Sequence, residues 1–186
     1  MGTENISGGT PVKPYPLKIV IADSLPDSAA DLLRQMGWKV DARDRRSREK
    51  LLHDLKDADG LIVRSNTQVD AELLASAPQL KVIARAGTGV ENIDVGAASA
   101  RGILIINAPG ANSVSVAEHT CALMLASGRS IARADTAMKQ GQWTKKELVG
   151  IELRGKNLGL VGLGRVGQEV AFRGRAFGMH VVAHDP

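Results

Sequence analysis

The 186 residues predict an α/β fold, a parallel sheet covered by helices on both faces, followed by the opening of a second lobe of the same kind. Three observations predict it. Short apolar runs rich in β-branched residues alternate with stretches of helical composition. Each run is continuous rather than alternating, as expected of strands buried on both faces. Near the end of the sequence, one such run passes through a glycine-rich turn directly into a helical stretch.

Residues 17–22, Leu-Lys-Ile-Val-Ile-Ala, form the first strand. The turn chemistry of 23–27 leads into a helix over 29–36, stopped at Gly37, where a left-handed residue costs little. A second strand begins at 38–40. Residues 47–55 predict a helix with Leu51, Leu52 and Leu55 on one face. Residues 60–63 are a third strand, 70–76 a short helix, 80–84 a fourth strand, 97–100 a helical turn and 103–106 a fifth strand. Residues 17–113 therefore read as one flavodoxin-like lobe.

A longer element follows. Ser115 and Glu118 stand at capping-box spacing. Residues 121–126 are apolar all round, which predicts burial on several sides. Ile131, Ala134, Ala137 and Met138 continue at spacings of three and four. Together, 114–141 predict one connector helix of about 25 residues, longer than the usual 8–20. Residues 142–156 are polar and irregular, and 142–186 open a second lobe. Residues 1–16, with three glycines and three prolines, predict a flexible leader.

Composition excludes several functions. Hydrophobic residues make up 44% and charged residues 24%, enough to build a core. The net charge of +4, from 24 Lys+Arg against 20 Asp+Glu, is spread along the chain and does not point to nucleic acid. Aromatics at 3% argue against a base-stacking platform. No apolar run approaches a membrane span, and 1–16 lack a secretory h-region. A single cysteine, Cys121, leaves no internal disulfide and fits a reducing, cytoplasmic setting. It lies in an apolar stretch, so it reads as core rather than nucleophile. The histidines, at 53, 119, 180 and 184, have no metal-ligand spacing. The basic stretch 43–48, broken by an acid, reads as a solvated loop.

Chemistry is concentrated in Gly162-Leu-Gly164-Arg-Val-Gly167. The stretch follows a strand over 157–161 and opens a helix ending near Phe177 and Gly178. A last strand over 180–183 then leads to Asp185, 18 positions after Gly167. That context is the dinucleotide fingerprint. Gly162 makes the tight turn, Gly164 lets backbone approach a pyrophosphate, and Gly167 lets helix and strand pack closely. The amides at Arg165 and Val166 open the helix toward the phosphates. Asp185 accepts hydrogen bonds from the adenosine ribose and repels a 2′-phosphate, so NAD is expected rather than NADP. This lobe reads as the first β-α-β of a Rossmann nucleotide-binding lobe.

Three further loops begin at strand ends, where open α/β sheets bind ligands. Arg64-Ser65 follows the third strand and could clamp a phosphate or carboxylate. Arg85-Ala-Gly-Thr-Gly-Val-Glu-Asn92 follows the fourth, with Gly87 and Gly89 leaving amides open to an anion. Asn107 to Asn112 follow the fifth. As a set they predict an anionic pocket.

The phrases Gly60-Leu-Ile-Val-Arg-Ser65, Arg85-Ala-Gly-Thr-Gly-Val-Glu-Asn92, Ser115-Val-Ala-Glu118 and Gly159-Leu-Val-Gly-Leu-Gly-Arg-Val-Gly167 resemble the D-isomer-specific 2-hydroxyacid dehydrogenases over 17–186. The resemblance implies an NAD-dependent oxidoreductase, and Arg64-Ser65 with Thr88 tilt it toward a phosphorylated 2-hydroxy acid. It implies that Arg64 and Ser65 hold the substrate phosphate, that the Gly87 region holds its carboxylate, and that Asn112 lies at the substrate crevice. It places Thr88 beside the nicotinamide, Arg165 and Val166 on the pyrophosphate, and Asp185 on the ribose. The family's catalytic arginine, glutamate and histidine have no counterpart among these residues, so the 186-residue chain alone is expected to be inactive. The parallel edge at 158–161 predicts association through this region or its disorder, and the resemblance implies a homodimer. The alternatives are a non-catalytic NAD- or anion-binding module and a dehydrogenase for glyoxylate or hydroxypyruvate.

Overall fold

The computed structural model describes residues 16–43 and 46–186. The expected leader therefore lies, apart from Pro16, outside the described residues. The chain divides into two units, Met1–Ala108 and Pro109–Pro186.

The first unit runs β1 (Lys18–Ile21), α1 (Asp27–Gln35), β2 (Lys39–Ala42), α2 (Arg48–Asp54), β3 (Gly60–Val63), α3 (Ala71–Ala75), β4 (Val82–Arg85), α4 (Val95–Ala100) and β5 (Leu104–Asn107). The strands lie in the order β2-β1-β3-β4-β5, and every neighbouring pair is parallel. Local chemistry sets the helix starts. Ser47 accepts a hydrogen bond from the Lys50 amide, Asp70 from Leu73 and Asp94 from Ala97, each cap contributing about 1 kcal/mol. Gly37, at φ +81°, turns the chain out of α1. The core is continuous: Leu55, Leu61, Leu73, Leu74 and Ile83 are fully buried, with Val20 and Val63 beside them.

The basic stretch 43–48 is not simply a solvated loop. The Arg46 side chain is only 2% exposed and bonds Asp41 at 2.9 Å and Asp54 at 2.5 Å. Arg43 pairs with the same two carboxylates, and Arg48 reaches Asp70 and Glu72. The carboxylates come from β2, α2 and the start of α3, so folding supplies counter-charges that a local reading of the stretch cannot see. Asp44 and Arg45, in the same stretch, lie outside the described residues.

The second unit runs α5 (Ser113–Gly128), α6 (Ile131–Lys139), a 3₁₀ turn (Lys145–Glu147), β6 (Asn157–Val161), α7 (Arg165–Ala176) and β7 (His180–His184), with β6 and β7 paired in parallel. The expected single helix over 114–141 is two helices. The break falls at Ser130, which takes a left-handed φ of 51°. A distant segment meets the break: the Ile151 amide donates to the Gly128 carbonyl at the end of α5 at 2.8 Å. The expected capping box does not form either. α5 starts at Ser113 behind Asn112, which puts Ser115 inside the helix, and Glu118 faces Arg173 of α7 at 3.7 Å. Cys121 is buried as core, yet Leu123 is 57% exposed, so the apolar run is covered on one side only.

Candidate functional site

Candidate residues lie in both units. In the first unit, the register aligns Val63, Arg85 and Asn107 at the carboxyl ends of β3, β4 and β5. The three expected loops thus start side by side. The strand order reverses between β1 and β3, and open α/β sheets bind ligands at such a point. Asp23 follows β1 and Arg64 follows β3, so both stand there.

The loops are tied to one another. Asp23, 8% exposed, accepts from the Arg64 amide at 2.5 Å, from the Thr67 amide at 3.3 Å and from Thr67 Oγ1 at 2.7 Å. Asn92, 7% exposed, donates through Nδ2 to the carbonyls of Arg64 at 2.8 Å and Thr67 at 2.6 Å. The Val69 amide in turn donates to the Asn92 carbonyl at 2.8 Å. Asn107 donates to the Thr88 carbonyl at 2.6 Å, and Ala108 donates to Gly87 at 2.9 Å. Arg64 and Ser65 themselves are exposed, and the Arg64 guanidinium makes only a long 3.5 Å contact with the Ser24 carbonyl.

The two glycines of the second loop differ from expectation. The Gly87 amide is not open: it donates to the Arg85 carbonyl at 2.8 Å. A Cβ on Gly87 would collide with the Arg85 guanidinium, and one on Gly89 with the Glu91 carboxylate. These glycines make room for their neighbours' side chains. The Gly89 amide has no acceptor among the described residues. Arg85 Nε is buried and without a hydrogen-bond partner among them, an unpaired donor at the floor of the loop.

In the second unit, the fingerprint takes the expected form. Gly162 has φ +97°, which a side chain would oppose. Its amide donates to the His184 carbonyl at 2.7 Å, which brings the turn beside Asp185 at the exit of β7. A Cβ on Gly167 would strike the Gly162 carbonyl oxygen, so this glycine is required by backbone packing. One on Gly174 would come within 2.6 Å of Leu158, the same close approach of helix to strand one turn later.

Gly164 is the informative position. Its φ of −66° needs no glycine, and among the described residues no atom beyond its own chain neighbours and helix backbone lies within 4 Å of a Cβ built there. A Cβ on Gly159 in β6 would likewise meet nothing, but of the two only Gly164 stands at the start of a helix, in the second glycine position of the fingerprint. Behind it, α7 opens with the amides of Arg165 and Val166, which have no helical acceptor. The Arg165 side chain turns aside, its Nη1 3.4 Å from the Pro109 carbonyl. Asn112 sits at the start of α5, in this second unit. Asp185 is exposed and Thr88 lies in the first unit.

Asp23, Asn92 and Arg85 escaped the sequence reading as site residues. The signal for Asp23 was its place just after a buried strand; Asn92 and Arg85 closed and opened a phrase in which the glycines and Thr88 drew notice. Among the described residues no cluster of three metal-ligating side chains occurs, and no helix is long and apolar enough to cross a membrane.

A parallel sheet whose strand-end loops meet at its switch point is thus followed in sequence by a strand, glycine-rich turn and helix of the dinucleotide-fingerprint form. The family model for D-isomer specific 2-hydroxyacid dehydrogenase, catalytic domain, matches residues 19–177, and the chain belongs to this family. It is 48% identical over 170 residues to the D-3-phosphoglycerate dehydrogenase of Archaeoglobus fulgidus, covering 91% of this chain and 32% of that protein. The enzyme of the same name from Mycobacterium leprae is 51% identical over 170 residues, covering 90% and 32%. Among solved structures, cofactor (NAD+) bound 3-phosphoglycerate dehydrogenase of Entamoeba histolytica matches with a TM-score of 0.75 and 31% identity, over 92% of this chain and 55% of that one. The chain spans about a third of the length of the curated relatives it matches.

Proposed function

We propose that these residues form the substrate lobe and the first half of the cofactor cradle of an enzyme that oxidises 3-phosphoglycerate to 3-phosphohydroxypyruvate with NAD, in serine biosynthesis. Gly164 carries the cofactor part of this reading, because a glycine that neither backbone nor packing requires stands where the fingerprint places the pyrophosphate. When bound, NAD accepts the hydride from the substrate's C2. The chain's own residues bind and orient. The amides of Arg165 and Val166 face the pyrophosphate, and Asp185 accepts from the ribose hydroxyls. In the first unit, Arg64 and Ser65 take the substrate phosphate, the loop around Gly87 and Gly89 takes the carboxylate, and Thr88 serves the nicotinamide side; Asn112, in the second unit, is the further substrate residue.

The 186 residues alone are proposed to bind without turning over. Among the described residues the only histidine in ion-pair reach of a carboxylate is His53, 3.5 Å from Asp54 on α2. Asp54 is already held by Arg43 and Arg46. His119 and Glu118 are adjacent on α5 and so point apart. A homodimer built on the second unit, in the cytoplasm, accords with that unit's uncovered apolar side chains and with the single buried thiol of Cys121.

Calorimetric titration of the 186-residue chain tests the reading. NAD is expected to bind in preference to NADP, and Asp185→Ala to narrow that preference. Arg64→Ala is expected to weaken 3-phosphoglycerate far more than D-glycerate, because only the first loses a charge-assisted pair. Equal loss for both would favour an unphosphorylated substrate, and NAD binding untouched by Gly164→Ala would sink the cofactor reading.

A further inference from the structure

The Arg64–Thr67 segment has an uneven hydrogen-bond pattern. The amides at its two ends, Arg64 and Thr67, both donate to the buried carboxylate of Asp23. The carbonyls at the same two ends both accept from the buried Nδ2 of Asn92. The two middle amides, Ser65 and Asn66, have no acceptor among the described residues, and both residues are exposed. The segment is therefore pinned at four backbone points by two buried side chains, and the two residues with unpaired amides are exposed.

Asn92 is held at a cost that shows what its orientation serves. Its Oδ1 is buried and has no hydrogen-bond partner among the described residues, while its Nδ2 is used twice. A buried amide with half its capacity unmet is kept for its donors. Its backbone is fixed independently, since the Val69 amide donates to its carbonyl. Asp23 is likewise spent on the segment, because every hydrogen bond it makes goes to Arg64 or Thr67.

We infer that Asp23 and Asn92 are positioning residues for the substrate phosphate, holding the Arg64–Thr67 segment as a bracket whose Ser65 and Asn66 amides join the Arg64 guanidinium in binding it. The inference rests on the substrate reading above. Its physical basis is preorganisation: two amides fixed beforehand lose little entropy on binding, whereas the same amides on a loose loop lose more. The carboxylate of Asp23 does not oppose the anion, because it is screened by three donors on the side where it lies. An amide pair plus a guanidinium suits a phosphate monoester, whose oxygens accept several charge-assisted hydrogen bonds.

The test uses the ¹⁵N-labelled 186-residue chain, titrated with 3-phosphoglycerate and followed by amide shifts. The Ser65 and Asn66 amides are expected to move on binding. Asn92→Ala is expected to raise the Kd for 3-phosphoglycerate by about tenfold or more, the fold-change that corresponds to leaving two carbonyls unpaired. NAD affinity should stay within about twofold, since the fingerprint is a separate site. Because Asn92→Ala could unfold the first unit, Thr67→Val serves as a milder variant that removes one bond to Asp23 and is expected to weaken binding several-fold. Ile83→Val, in the same core, controls for stability: it should soften the unit without changing the Kd. Unchanged affinity in both loop variants, or an equal loss in Ile83→Val, overturns the positioning role. Binding that moves other amides but leaves Ser65 and Asn66 still overturns this inference alone. A wild-type chain that binds NAD but shows no shift with 3-phosphoglycerate overturns the substrate reading and this inference with it.

Discussion

In the first unit five parallel strands enclose side chains that water never reaches, among them Leu55, Leu61, Leu73, Leu74 and Ile83. In the second, two strands support one another, and Val161 is 94% exposed, Phe172 73%, Val182 64% and Trp143 78%. Its buried apolar side chains among the described residues are Ala117, Cys121, Val170 and Met179. Both units are built from the same parallel β-α-β element. They differ in how many copies share one core. Each large apolar side chain left in water forgoes about 1.5–3 kcal/mol. The first unit thus encloses a core of its own, and the second leaves most of its large apolar side chains uncovered. The loops proposed to bind the substrate start from the five-stranded platform of the first. The fingerprint needs only a strand, a turn and a helix, and it is fully formed in the second.

The largest effect should come from the core that only one unit has. Leu74→Ala is expected to cost about 2–5 kcal/mol in urea unfolding of the first unit. A loss under about 1 kcal/mol would mean that the core is less closely packed than its burial implies.

Next is the buried Arg46. Arg46→Ala leaves Asp41 and Asp54 facing each other with only the exposed Arg43 between them. The expected cost is about 2 kcal/mol, below the range for a fully buried pair because both carboxylates keep some exposure. The effect depends on pH. Arg43 first, then Arg46, holds the Asp41 carboxyl well below its ordinary value despite the opposing effect of partial burial. A depressed carboxylate stabilises the fold above its unfolded value of about 3.9 and loses that contribution as pH falls below it. Wild type should therefore lose stability on acidification below about pH 4, and Arg46→Ala should lose less over the same interval. Parallel stability curves for the two proteins would remove the pair from the acid response.

The fingerprint glycines then separate binding from folding. Gly164→Ala adds a Cβ in open space and should leave stability within about 0.5 kcal/mol while weakening NAD binding about tenfold or more. Gly167→Ala meets a backbone carbonyl and should lower both. If calorimetry and unfolding respond alike in the two variants, the distinction between ligand space and packing space fails.

The smallest effect is expected on the surface of α6. Lys139 pairs with Asp135 at 2.6 Å, both side chains more than half exposed, and Lys139→Ala should cost no more than about 0.5 kcal/mol.

All seven strands were legible in the sequence, to within a residue or two at their ends, because continuous apolar runs between turn residues have few other uses. The fingerprint was equally legible, since its glycines are a local requirement of strand, turn and helix. The helix over 114–141 was not. Gly128 and Ser130 offered a stop signal, but the helix actually ends where Ile151 reaches back to it, a contact 23 positions away. The capping box failed for a related reason: Ser115 and Glu118 have the spacing, yet the helix starts earlier and Glu118 faces α7. Arg64 and Ser65 could be singled out as candidates because they follow a strand. Asp23 and Asn92 could not, because a buried polar side chain is recognised only by the partners it meets, here 41 and 28 positions from Arg64.

The sequence by itself determined what depends on neighbours along the chain: the strands, the glycines of the turn after β6, the acid at the exit of β7 and the arginine and hydroxyl after β3. The tertiary structure alone decided what depends on residues far apart in sequence. It set Asp23 and Asn92 against one loop, used the Gly87 amide within its own turn, buried Arg46 between two carboxylates, and left open space, among the described residues, around a Cβ at Gly164. The physical reason is that hydrophobic periodicity and backbone geometry act over a few residues, whereas hydrogen-bond satisfaction and open space exist only once distant segments have been brought together.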